Sequence, residues 1–150
     1  MHAHPDETDV IRRLLEEYVP EVAAGTVVIH GIAREPGART LIAVESKDPI
    51  VDGVGACVGV RGARVKAMIA RLPGEFIDMI RWDASMEQFL SNLLAPNRPI
   101  QVTLDHALRR ATITLPPGST FPSSDSERIR LMLASRLIGW DLQVEHPVGS

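Results

Sequence analysis

The segment from residue 59 to 71 carries the side chains best suited to binding phosphate. Two glycines enclose an apolar residue and a cation in a G-x-x-G pattern, Gly59-Val60-Arg61-Gly62. The segment holds four cations and no acid: Arg61, Arg64, Lys66 and Arg71. A helix, a tight glycine turn and a second helix direct backbone N–H groups and a positive helix end toward one point, which suits phosphate oxygens. Because glycine has no Cβ, a nucleic-acid backbone can approach such a turn closely.

The glycine pair alone has a simpler interpretation, since glycines at this spacing also form ordinary turns between two helices. Inside a larger αββααβ unit the same pattern is far more specific for a phosphate-binding loop. The elements around the turn therefore decide between the two interpretations.

Periodicity predicts those elements. Helical spacing of apolar residues predicts a helix over residues 8–19, and two β-branched segments, 26–34 and 40–46, predict a hairpin that turns at 35–38. A short helix, the glycine loop and a second helix beginning near Gly62 follow, and residues 75–82 are typical of a strand. The first unit, predicted over residues 8–82 after a disordered segment 1–7, thus has the order αββααβ.

The same order begins again after residue 83. We predict a helix capped by Ser85 and ended before Pro96, strands at 99–106 and 110–117, a helix at 126–137 and a strand at 140–146. Arg71-Leu72 and Arg136-Leu137 stand 65 residues apart, each two residues before a glycine. We infer a second unit over residues 84–146 and a tail at 147–150. Around Asp125 and Glu127 this unit has acids and no glycine, and proline-rich residues 116–125 predict a loop in place of one helix.

Composition excludes several classes of protein. The chain has 150 residues, of which 45% are apolar and 23% charged, so it is globular rather than disordered. Its single cysteine, Cys57, excludes an intramolecular disulfide and a multi-cysteine zinc site, and we interpret it as a small buried side chain. The net charge of −3 comes entirely from residues 1–20, with two arginines against five acids, and argues against a broadly basic nucleic-acid binder. The sequence shows no membrane span or signal peptide, so we expect a cytoplasmic protein. We also expect neither a metal nor a cofactor.

No motif for catalysis is present. The glycine-rich segment 53–62 has neither the G-x-G-x-x-G spacing nor the Lys-Ser/Thr ending of a nucleotide-binding loop, and no nucleophile elbow occurs. We therefore predict a binding protein and not an enzyme.

Residues 32–82 resemble the first KH domain of the bacterial NusA family of transcription elongation and termination factors. The patterns IAREPG-x-R, VGACVG-x-RG-x-RV and L-x-GE-x-ID-x-I-x-W appear there in order, and the second unit resembles the second KH domain of that family through its strand order and an L-x-GW element. The resemblance implies an α+β fold of two tandem type II KH-like units packed together, the second degenerate. The chain departs from the family at Leu41 and Phe76, where basic residues are common, and at Gly53, where proline is frequent.

The resemblance implies binding of single-stranded RNA, the nascent transcript, in transcription elongation, termination or antitermination, with RNA polymerase or other transcription factors as further partners. We expect the first unit to bind RNA through the loop, through Arg64 and Lys66 on phosphates, and through the arginines that flank the hairpin turn, Arg34 and Arg39. Solvated turn arginines are the simpler interpretation of that last pair. A different function stays open, because neutral charge in both units and the acidic second loop also suit a KH-fold protein–protein interaction module that has lost most RNA affinity.

Overall fold

The predicted hairpin forms the frame of the first of two units. A computed structural model of the chain describes residues 5–95 and 100–147, which divide into Met1–Trp82 and Asp83–Ser150. The elements of the first unit are α1 (Pro5–Tyr18), α2 (Pro20–Ala23), β1 (Val27–Glu35), β2 (Arg39–Ser46), α3 (Gly53–Val58), α4 (Ala63–Ile69) and β3 (Phe76–Arg81). The order αββααβ is confirmed, with α2 as a short addition.

The first sheet has the order β1-β2-β3, with β1 antiparallel to β2 and β3 parallel to β2. The parallel pair is joined by α3 and α4, so the glycine turn lies within a strand-helix-helix-strand crossover. Residues 40–44 of the central strand β2 are all buried. The mixed sheet and its helices confirm the α+β class and the KH-like arrangement of elements.

One apolar cluster holds α1, the sheet and the helices beside the turn together. Ile11, Leu15 and Val19 from the first helix region meet Ile42 of β2 and Met68 of α4, each at most 1% exposed. Burial of a side chain of this size contributes roughly 1.5–3 kcal/mol. The turn is therefore anchored on both sides by helices that are themselves fixed on the core.

Helix α1 begins earlier than predicted. The helix starts at Pro5, within the segment 1–7 that was expected to be disordered. Proline suits the first helical position, where its missing N–H has no helical partner. Residues 1–4, and residues 148–150 of the predicted tail, lie outside the described part of the chain.

The second unit has the order αββαβ, without counterparts of α2 and α3. Its elements are α5 (Met86–Leu94), β4 (Gln101–Asp105), β5 (Arg110–Thr114), α6 (Asp125–Ile138) and β6 (Asp141–Glu145). Strand order β4-β5-β6, antiparallel and then parallel, matches the first sheet. No helix lies between β5 and α6, as the proline-rich sequence predicted. In the described residues, no helix is both long and apolar enough to cross a bilayer.

Candidate nucleic-acid interface

The G-x-x-G turn is an exposed loop whose backbone conformation needs glycine. Gly59 has φ 81° and ψ 171°, a region open almost only to glycine, and Gly62 is left-handed with φ 73°. Arg61 between them is also left-handed, with φ 56° and ψ 26°. Val60 is 84% exposed at the tip. The sequence prediction of a tight turn between α3 and α4 is confirmed.

Gly59 and Arg64 lock together. A Cβ added at Gly59 would lie 2.8 Å from Cγ and 2.9 Å from the backbone N of Arg64, too close for any other side chain. The Arg64 guanidinium turns back from α4 to donate to the carbonyl of Ala56 at 2.7 Å and to Glu21 Oε1 at 2.9 Å. This side chain therefore ties the last turn of α3, the first turn of α4 and α2 together.

The carboxylate that receives Arg64 is ionised at neutral pH. Its own backbone N–H lowers the pKa of Glu21 most, burial opposes this, and the hydrogen bond from Arg64 lowers it further. Arg64 was predicted to support phosphates directly, yet its charge faces a carboxylate and a helix carbonyl. Its role on phosphate stays a prediction.

Two cations of the predicted set remain available at the loop. Arg61 and Lys66 are both exposed, and within residues 5–95 and 100–147 neither side chain has an ion-pair partner. The Cε atom of Lys66 lies 3.5 Å from the position that a Cβ on Gly62 would take, so the lysine chain runs beside the turn. Left-handed backbone and two cations without an ion pair thus meet at one place.

Arg34 belongs to a buried ion pair away from the loop. Its Nε and Nη2 atoms donate to Glu75 at 2.8 and 2.9 Å, and the two side chains are 12% and 2% exposed. Thr40 Oγ1 donates to the same carboxylate at 2.6 Å, and the N–H of Gly37 also donates to it, at 3.1 Å. Burial alone would raise the pKa of Glu75, but these donors outweigh it and hold the pKa below its ordinary value.

Arg39 is likewise engaged. It forms an ion pair with Asp78 and lies over the ring of Phe76, 5.3 Å from the centroid. Residues 74–76, which meet the hairpin turn, follow the C-terminal end of α4, whereas the glycine loop precedes its N-terminal end. The seven residues of α4 span about 10 Å. Arg34 and Arg39 thus lie at the hairpin end of the sheet, each paired with a carboxylate, and their role in binding stays a prediction.

Apolar side chains near the loop divide between the core and the surface. Cys57 is fully buried, so the prediction of a small buried side chain is confirmed, and burial raises the pKa of its thiol to about 11. Half-buried side chains flank it: Ile32, Val54, Val58 and Val65. They offer an apolar surface next to the turn. Within the described residues, no cluster of three or more His, Cys, Asp or Glu could hold a metal ion.

Sequence reasoning missed the acids that neutralise the predicted cations. Glu21 stands between Pro20 and Val22 and gave no signal of its partner, which lies 43 residues later. Glu75 was recognisable only as the acid that follows a glycine between two apolar segments. Both pairs depend on how helices and strands pack, which charge spacing along a chain does not reveal.

In the second unit, side chains cap the start of α6, the position that corresponds to the glycine loop of the first unit. Ser124 Oγ accepts the N–H of Glu127 at 3.1 Å, and Glu127 Oε1 accepts from the N–H and hydroxyl of Ser123 at 2.8 and 2.9 Å. These side chains satisfy donors at the start of α6 that a phosphate would otherwise meet. An acid-bearing start of α6, as predicted from Asp125 and Glu127, is confirmed.

Comparison with known proteins agrees with this geometry. A family model described as the NusA-like first KH domain matches residues 6–82. The chain is similar to the transcription termination/antitermination protein NusA of Bacillus subtilis (strain 168), with 35% identity over 136 residues, which cover 91% of this chain and 37% of that protein. The NusA protein of Thermus thermophilus is 36% identical over 136 residues, covering 91% of this chain and 35% of the relative.

The chain thus spans little more than a third of the length of these curated relatives. Among solved structures it is similar to the crystal structure of APE1850, with a TM-score of 0.66 and 16% sequence identity. That match covers 95% of this chain and 100% of the other. At this identity the likeness concerns the fold alone.

Proposed function

Because the chain belongs to the family of the NusA-like first KH domain, we propose that its first unit binds single-stranded RNA through the loop Gly59-Val60-Arg61-Gly62. KH domains clamp about four nucleotides of single strand on such a loop. The observation that carries the proposal is the exposed left-handed turn with two unpaired cations, Arg61 and Lys66, beside it.

Each part of the loop has a distinct task in this proposal. The glycines, which have no Cβ, let the phosphates of the strand approach the turn closely. Arg61 and Lys66 supply charge, and Arg64 holds the turn in shape through Ala56 and Glu21. Bases then face the half-buried apolar residues beside α3 and α4.

The name of the curated relatives supports a setting in transcription termination or antitermination. We therefore propose the nascent transcript as the RNA, and RNA polymerase or another transcription factor as a further partner. The second unit, whose helix start is closed by Ser124 and Glu127, serves in this proposal as a platform or protein-binding surface.

A double substitution tests the loop against a matched control. Val60→Asp with Arg61→Asp reverses the charge of the tip, and Leu108→Asp with Arg109→Asp makes the same change elsewhere. Leu108 is 61% exposed and Arg109 has φ 50°, so the second turn matches the first in exposure and backbone conformation. The measurement is fluorescence anisotropy of short unstructured RNAs, with circular dichroism to verify folding.

We expect the loop variant to lose at least about tenfold in affinity, since one charge-assisted hydrogen bond contributes about 1.5 kcal/mol. The control variant should keep the parental affinity. Equal losses in both would reduce the effect to net charge and refute a specific loop site. Absence of binding by the parent at low salt would favour the protein–protein interaction module.

A further inference from the structure

A pocket of about 370 Å³ lies in the first unit at the carboxyl ends of the two parallel strands. Residues at the end of β2 and just after β3 form its walls, and the loop that enters α3 closes it. Ligands of parallel α/β arrangements bind outside the carboxyl ends of the strands, where successive elements diverge and leave a crevice. The volume falls in the range of pockets for small organic groups.

The lining combines an aromatic wall with hydrogen-bond acceptors. Trp82 lines the pocket, and its indole stacks on His30 with centroids 3.9 Å apart and planes 5° apart. Ile50, at the rim, is 93% exposed. The polar lining includes Ser46, Asp48 and Asp52. Such a site offers stacking, apolar contact and acceptors for an amine.

The charges of the lining disfavour phosphate as the occupant. It contains three acids and one cation, Glu45, Asp48, Asp52 and Arg81. Hydrogen bonds from His30 and then Lys47 lower the pKa of Glu45, so this carboxylate is charged at neutral pH. Arg81 donates to Asp52 at 3.2 Å, which leaves the lining without a surplus cation. A neutral planar group with amine donors suits this lining better than an anion does.

The pocket lies one short helix away from the glycine loop. Gly53 lines the pocket and begins α3, and Gly59 of the loop follows its last residue. Six helical residues span about 9 Å. Four nucleotides of one strand, at about 3.4 Å or more each, span at least about 10 Å. A strand held at the loop therefore reaches the pocket.

We propose that this pocket receives one nucleobase of the bound RNA and selects a base with an exocyclic amine. The proposal rests on the proposed function, because the strand is delivered by the glycine loop. The base stacks beside Trp82, and its amine donates to Asp48 or Asp52, in the way that acidic side chains accept from the N4 amine of cytosine. Uracil has no exocyclic amine and loses this contact.

Oligocytidine and oligouridine of equal length test the selection at neutral pH. We expect the parent to bind the cytidine strand at least about fivefold more tightly by fluorescence anisotropy. Asp48→Ala with Asp52→Ala removes both carboxylate acceptors and should reduce that preference to within about twofold. Asp105→Ala is the matched control, because Asp105 accepts the N–H of Leu108 in a turn as Asp48 accepts that of Ile50. It should leave the preference unchanged.

The outcomes separate the two proposals. The base pocket is overturned if the parent binds both strands equally or if the preference survives the double variant. In that case a basic side chain of a protein partner becomes the better occupant of the pocket. If Val60→Asp with Arg61→Asp still abolishes binding in either case, the loop proposal stands. If the parent binds neither strand at low salt, both proposals fail.

Discussion

The slope of log RNA affinity against log salt concentration measures how many cations contact phosphate. The first unit has two unpaired cations at the loop, Arg61 and Lys66, whereas Arg34, Arg39 and Arg64 are held by carboxylates. Each phosphate contact on a single strand contributes about −0.7 to the slope of log affinity against log salt. Two contacts give a slope of about −1.4, and all five cations would give about −3.5.

These slopes predict clearly different losses of affinity. Between about 50 and 200 mM salt, two contacts lower the affinity about sevenfold, and five contacts lower it more than about a hundredfold. Arg61→Gly removes one contact and fits the left-handed backbone at that position, so its slope should fall to about −0.7. Arg109→Gly, at φ 50° in the second unit, is the control and should keep the parental slope.

Fluorescence anisotropy titrations at four or more salt concentrations measure these slopes directly. A parental slope near zero would refute the phosphate loop. A slope near −3.5 would show that RNA displaces the carboxylates from the paired arginines. An Arg61→Gly slope equal to the parental one would remove Arg61 from the contact set.

Three further predictions concern stability and reactivity. Gly59→Ala should lower the free energy of unfolding by about 2 kcal/mol or more and abolish RNA binding, whereas Gly25→Ala, with φ 82° and no atom within 4 Å of the new Cβ, should cost only about 1 kcal/mol in urea unfolding. Folding lowers the pKa of Glu75, so this carboxylate stabilises the fold above its ordinary pKa of 4.5, and the contribution is lost as the pH falls through the lowered value. Arg34→Met should lower the free energy of unfolding by about 3 kcal/mol at pH 7 and flatten its dependence on acid pH. The RNA affinity of the folded variant should be unchanged, and a specific loss of RNA binding would contradict this prediction. Cys57, with a pKa of about 11, should react with a thiol reagent at pH 8 only on the timescale of unfolding, and rapid native labelling would show that the core opens locally.

Elements with strong periodic or turn signals were predictable. The hairpin followed from β-branched segments around Glu35-Pro36-Gly37, and the loss of a helix in the second unit followed from three prolines between residues 116 and 122. Both signals are local, because proline and glycine act on their own backbone. The glycine loop was predictable for the same reason.

The electrostatics of the candidate site could not be predicted in the same way. Arg64 appeared as a phosphate ligand because it follows the loop by two residues, and only the packing of α2 against this region brings Glu21 to it. The same holds for Arg34 and Glu75, which are 41 residues apart. A sequence shows which cations are near a loop along the chain, but the fold decides which of them already have a carboxylate.

The hydrogen bonds by which Arg64 joins α3, α4 and α2 have a consequence for the kinetics of RNA binding. A loop held in shape before RNA arrives needs no folding step during association, so encounter should be fast and governed by diffusion and charge. RNAs that differ at the contacted bases should then share similar association rates and differ mainly in residence time. Stopped-flow fluorescence can resolve the two rates.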